Sequence, residues 1–161
     1  MLEGYESTIL RGNAGTIKKE GVIYGPVDPT QKLASIAVAD VGDAAATLLQ
    51  NPSKFAGKTY TFNTTPYSNE EVAQAFEEVL QKPVKYVQVS FDDAKKALMG
   101  MGMPEWQTDG VLELMRKQHE GKEVMSKKVD DFEQVTGRAP LTIKEWVKMV
   151  KPGFESSSPA E

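Results

Sequence analysis

Ser68 and Glu71 stand at the S-x-x-E spacing of a capping box. There the serine oxygen accepts an N–H of the first helical turn and the glutamate reaches back to the serine N–H. The apolar stripe Val72, Ala75, Phe76, Val79 and Leu80 follows at helical period, and Lys82-Pro83 stops it. Upstream, Thr59 to Asn63 reads as a strand entered from the turn Phe55-Ala56-Gly57-Lys58. Downstream, Val84 to Val89 alternates as a second strand. Strand, helix and strand in this order predict a βαβ unit, and the chain falls in the α/β class.

The remaining segments are arranged around that unit. Tyr5 to Leu10 reads as a buried strand ending at the turn Arg11-Gly12-Asn13-Ala14-Gly15, and Val22-Ile23-Tyr24 as a short extended run closed by Gly25-Pro26. Leu33 to Val38 reads as a strand, with Asp40 as N-cap of a helix from Val41 to about Gln50. Ser90, with Asp93 three residues on, caps a helix from Phe91 to about Met99. From there the pattern is helical: Glu105 to His119, Val129 to Thr136 ended by Gly137, and a last helix capped by Thr142 and closed by Pro152-Gly153. Short strands with crossover helices, then a helical cluster, make one domain over residues 1–154, with residues 155–161 expected as a mobile tail.

Composition excludes several functions. With no cysteine there is no disulfide, thiolate nucleophile or cysteine-bound metal. A net charge of −4 gives no general attraction to nucleic acid or acidic membranes, and the short pairs Lys18-Lys19 and Lys127-Lys128 have acids beside them. No apolar run approaches the roughly 20 residues of a membrane helix, and the N-terminus has no signal-peptide pattern. A cytoplasmic protein is expected.

Chemistry-bearing motifs are sparse. Gly12-Asn13-Ala14-Gly15 precedes too short a run for a dinucleotide turn, and Gly57-Lys58-Thr59 lacks the upstream glycine of a phosphate loop. His119, the single histidine, ends a helix with no nucleophile near it in sequence and reads as structural. Asp92-Asp93 and Asp130-Asp131 read as capping acids, so no metal site is expected. Met99, Met101, Met103 and Met115 with Trp106 suit an apolar ligand wall as well as a helix–helix core, and core is favoured. Ligands of α/β sheets gather at the carboxyl ends of strands. Arg11 and Asn13, after Tyr5–Leu10, and Met103 and Trp106 are therefore the substrate-pocket candidates; no catalytic residue is assigned.

Tyr5-Glu6-Ser7-Thr8-Ile9-Leu10-Arg11-Gly12 is similar to the Y-T-I-L-R-P-G strand of the NmrA-like family, atypical extended short-chain dehydrogenases. Ile36 to Ala45 resembles that family's strand and helix with V-x-D-I, and Gly57-Lys58-Thr59-Tyr60-Thr61-Phe62 its G-K-x-Y strand. Ser68 to Leu80, Pro83 to Tyr86 and Val135 to Thr142 continue in the family's order. The chain lacks the proline after the arginine and looks shortened between Asn13 and Gly21.

The resemblance implies the C-terminal, substrate-binding half of a Rossmann protein. Full-length members bind NAD(P)H on an N-terminal T-G-x-T-G-x-x-G turn, and serve as reductases of small substrates or as redox-sensing regulators. This chain has no counterpart of that turn, so no cofactor is expected on it by itself, nor turnover. The alternative is a non-catalytic interaction module that self-associates or binds a protein partner through the N-terminal sheet edge at Tyr5–Leu10. A third reading is a free-standing binder of small molecules that uses the methionines and Trp106. No nucleic acid and no membrane are expected as partners.

Overall fold

In the computed structural model, which describes residues 5–10, 12–121 and 126–155, two short strands lie side by side in parallel. β1 (Val22–Gly25) pairs with β2 (Lys85–Gln88) in the register Val22↔Lys85 to Gly25↔Gln88. Lys85 N–H donating to Gly21 O and Val89 N–H donating to Gly25 O extend the ladder at both ends. Gly21 is fixed there for two reasons. Its φ of +65° is left-handed, and a Cβ would sit 2.3 Å from the Pro83 carbonyl oxygen.

The parallel pair requires a crossover. It carries α2 (Val38–Gln50), the single turn α3 (Pro52–Phe55) and α4 (Asn69–Leu80), while α1 (Ala14–Glu20) precedes β1. After β2 come α5 (Phe91–Gly100), α6 (Glu105–His119), α7 (Asp131–Thr136) and α8 (Ile143–Val150). The βαβ unit therefore exists, but its first strand is Val22–Gly25 and not Thr59–Asn63.

Residues 59–63 join no ladder, and several of their polar groups bond elsewhere. Thr61 N–H donates to Asp131, and the Asn63 amide bonds Lys127 O and Val129 N–H. The expected strand Leu33–Val38 is likewise reduced to isolated bridge residues, Leu33, paired antiparallel with Tyr67, and Ile36, beside Thr64 N–H donating to Ser35 O.

Tyr5–Leu10 is not a strand. Glu6–Leu10 winds as a π-helical turn, with Tyr5 and Ile9 buried in the core. A short apolar run satisfies either winding, and tertiary contact decides between them. Tyr5 seats its ring on Tyr67 and Trp146, each at 5.2 Å, so the sheet edge expected here is absent.

Glu6 explains a second departure. α2 begins at Val38, with Ala37 rather than Asp40 at its cap. Glu6 takes the capping role across space: one carboxylate oxygen accepts from Val38 N–H at 3.1 Å, the other from the Trp146 indole at 2.9 Å. Asp40, fully buried, accepts instead from Leu141 N–H at 2.7 Å and Arg138 at 2.6 Å, tying α2 to the loop before α8.

The expected cap of α4 is present: Ser68 and Glu71 form the full box, and Thr142 and Glu145 form another at α8. α4 and α8 enclose the main core of Ile17, Ile23, Val72, Phe76, Trp146 and Val147. Phe154 packs on Phe76 at 5.3 Å; of the tail expected over residues 155–161, Glu155 ends the helical turn Pro152–Glu155 and the rest lies outside the described residues. A smaller cluster of Ile36, Ala44 and Phe132 joins α2 to α7.

Candidate functional site

Parallel strands present their carboxyl ends on one side, and the segments that leave them can wall a crevice there. β1 leads into Pro26 and β2 into Val89, and both residues line a cavity of about 370 Å³. That volume lies within the range of small-molecule sites. The turn Gly12-Asn13 with Thr16 of α1 forms one wall; Asp93, Ala94, Ala97 and Leu98 of α5 form another; Met101 and Met115 close it, with Tyr24 at the edge. α5 is aimed by its cap, since the Ser90 oxygen accepts from Asp93 N–H at 3.0 Å and the Ser90 hydroxyl donates to Asp93 Oδ2 at 2.7 Å.

The lining is mostly apolar, and its polar members are already engaged. The Asn13 amide straddles the backbone of Tyr24, accepting from its N–H at 2.8 Å and donating to its carbonyl at 3.2 Å. Thr16 donates to Asn13 O at 3.0 Å. The Tyr24 hydroxyl donates to Glu20 at 3.2 Å, and partial burial together with that carboxylate raises the phenol above its ordinary pKa. Asp93 is held below the usual carboxylate range by the Ser90 hydroxyl and then by Lys96. A phenol pushed up and a carboxyl pulled down are not poised for proton transfer near neutrality. The cavity can hold and orient an apolar ligand, and nothing described on its wall activates one.

The turns beside the cavity differ from a pyrophosphate-binding turn. The turn at Gly12-Asn13 opens only the seven-residue α1, and Asn13 is committed to Tyr24. The strand-to-helix turn from β2 to α5 places Asp92 and Asp93 in the first helical turn, where they repel a phosphate. No three acids or histidines converge as a metal site among the described residues, and no described helix is long and apolar enough to cross a membrane.

The sequence-derived candidates divide. Asn13 is on the wall; Arg11 lies outside the described residues. Met103 and Trp106 lie outside the lining, and Trp106 is 77% exposed on α6. Met99 borders a shallower depression with Asp92, Lys95 and Lys96, while Met101 and Met115 reach the cavity. His119 is structural, its Nδ1 accepting from Asp28 N–H at 2.9 Å and its ring lying edge-on to Phe91. Thr16, Tyr24, Pro26, Val89 and Leu98 were not singled out. The signal was available: the strand-end rule, applied to Val22–Tyr24 and Val84–Val89 in place of Tyr5–Leu10, leads to them.

The profile of the NmrA-like family matches residues 6–147. The chain is 30% identical over 144 residues to an NAD(P)H azoreductase of Xenophilus azovorans, covering 88% of this chain and 48% of that protein. Triphenylmethane reductase of Citrobacter sp., solved with NADP(H), superposes with a TM-score of 0.75 at 26% identity, over 91% of this chain and 50% of the other. An NADPH-dependent quinone oxidoreductase of Escherichia coli shares the fold, with a TM-score of 0.74 at 22% identity, over 92% and 52%. The chain thus spans about half the length of these relatives.

Proposed function

The chain belongs to the NmrA-like family, and on that premise we propose that its 161 residues are the substrate-binding half of an NAD(P)H-dependent reductase of conjugated aromatic compounds. In this reading the dinucleotide is held by a part of the protein that these residues do not supply. The single observation that carries the reading is the apolar cavity at the carboxyl ends of β1 and β2. Its described walls offer an apolar surface but no activated acid, base or nucleophile. That suits a reaction in which the reducing equivalent comes from a bound nicotinamide and the protein orients the acceptor. The named relatives act, by their names, on azo, triphenylmethane and quinone compounds, all conjugated and largely flat. On the cavity wall Gly12 lies directly against the Met101 side chain, where an added Cβ would come 3.0 Å from Met101 Cε.

The test is equilibrium binding of a neutral naphthoquinone to the chain, with Ala97→Trp as the variant that fills the cavity. Saturable binding that Ala97→Trp abolishes, with the fold retained by circular dichroism, is the expected result. Binding that survives the filled cavity would place the ligand elsewhere and end this reading.

A further inference from the structure

The charge on the cavity wall is one-sided. Among the described residues that line it, Asp93 is the only one that is charged at neutral pH, and no lysine or arginine is present. Tyr24 sits at the edge with 41% exposure, and its hydroxyl donates to Glu20, which places a second carboxylate at the hydroxyl end of the ring. A tyrosine face attracts cations through its quadrupole. Thr16 has spent its proton on Asn13 O, so toward any further group its oxygen can act only as an acceptor. Lys96 lies 3.5 Å from Asp93, but it is 79% exposed and the carboxylate 64%, so this exposed pair screens Asp93 weakly.

We propose that the cavity prefers cationic aromatic ligands to neutral or anionic ones of the same skeleton, and that Asp93 sets this preference. The proposal rests on the cavity being the ligand site. An ammonium or iminium group seated between Asp93 and the Tyr24 ring keeps electrostatic partners on two sides, while the rings occupy the apolar slot of Leu98, Met101 and Met115. A sulfonate in the same place is repelled by that carboxylate, an effect that the exposed Lys96 beside it offsets in part. The carboxylate is solvated, so the discrimination is moderate and depends on salt.

The experiment compares three forms of one triarylmethane skeleton: the cationic dye, its uncharged leuco form and a sulfonated anionic form. Each is titrated into the chain at low ionic strength and again at about 1 M salt, where the Debye length is ~3 Å. The cation is expected to bind about fivefold more tightly than the leuco form and more tightly still than the anion, with the ratios collapsing in high salt. Asp93→Asn is expected to bring the three forms together. Lys96→Ala, which leaves the α5 cap intact, is expected to widen the gap. Equal affinities for the three forms, or ratios that neither variant moves, would overturn the proposal while leaving the cavity a ligand site. If no form binds, the functional reading beneath it fails as well.

Discussion

Asp40 and Glu6 show how much depends on single buried or half-buried carboxylates. Both take backbone N–H groups from distant segments, Asp40 from Leu141 and Glu6 from Val38. Asp40→Ala would orphan Leu141 N–H and one contact of a half-exposed arginine. With the buried-pair penalty discounted for that exposure, the expected loss is about 2–4 kcal/mol, read as a lower urea midpoint at unchanged slope. Sequence reading gave Asp40 the local capping role because it precedes an apolar helical pattern. Which carboxylate reaches which N–H was set by the chain folding back from residue 141, and no local spacing carries that information.

Tyr5 and Tyr86 add a pH signature at the same scale. Burial, the main cause, raises both phenols well above their ordinary value. In the unfolded chain they ionise near 10, while in the folded chain they stay neutral. The unfolded state therefore sheds protons first as pH rises, and their contribution, complete below about pH 10, is lost above it. Tyr5→Phe is expected to flatten the alkaline fall in stability above about pH 10, at the cost of the hydroxyl's 3.3 Å bond to Leu141 O. An unchanged alkaline slope in the denaturation midpoints would remove Tyr5 from that role.

At the scale of elements, the Ser68–Glu71 capping box was the most legible feature; Thr142 was read as a cap, without its Glu145 partner. The S-x-x-E pattern names both partners, and their geometry is local. Ser68→Ala and Thr142→Ala are each expected to cost about 1 kcal/mol. Glu145 is held below its ordinary range by Thr142 N–H and then the Thr142 hydroxyl. Its share of α8 is present above the unfolded value and lost as pH falls through the folded one. Helices α4, α5 and α6 were readable from period and caps. β1 and β2 fall on the runs 22–24 and 84–89 read as extended, whereas 33–38 and 59–63 have strand composition but bond loops and side chains. Pairing is a non-local property, and β1 paired with a strand about sixty residues away.

Gly21 illustrates the same limit. Nothing near it in sequence announces Pro83, yet a side chain there would strike that carbonyl. Gly21→Ala is expected to destabilise well beyond the ~1 kcal/mol typical of a left-handed glycine. Gly12→Ala, which meets only the movable end of Met101, should cost about that much while narrowing the cavity. Equal losses for the two would contradict the close approach at Pro83.

For the whole molecule, the fold divides labour: α4, α8 and the Glu6–Leu10 turn hold a core around Trp146, and the far end of a two-stranded sheet is left to wall a crevice. The order of motifs made the family recognisable before any contact was known, because it is spread along the chain. The cavity was only half legible: the methionines were visible as a group, but which of them face inward depends on how α5 and α6 cross. The N-terminal segment, where a sheet edge for partners was expected, is wound into the core instead.

We propose that this chain supplies the acceptor cavity and that the dinucleotide is held elsewhere in the protein. The measurement that tests it most directly is a titration of NADPH into the 161-residue chain, followed by nicotinamide fluorescence and run beside the naphthoquinone titration. The expected result is saturable quinone binding with no saturable NADPH signal up to about 1 mM, the upper end of ordinary substrate affinities. Saturable NADPH binding that NADP+ displaces, retained when Ala97→Trp fills the cavity, would contradict it and locate a nucleotide site within these residues.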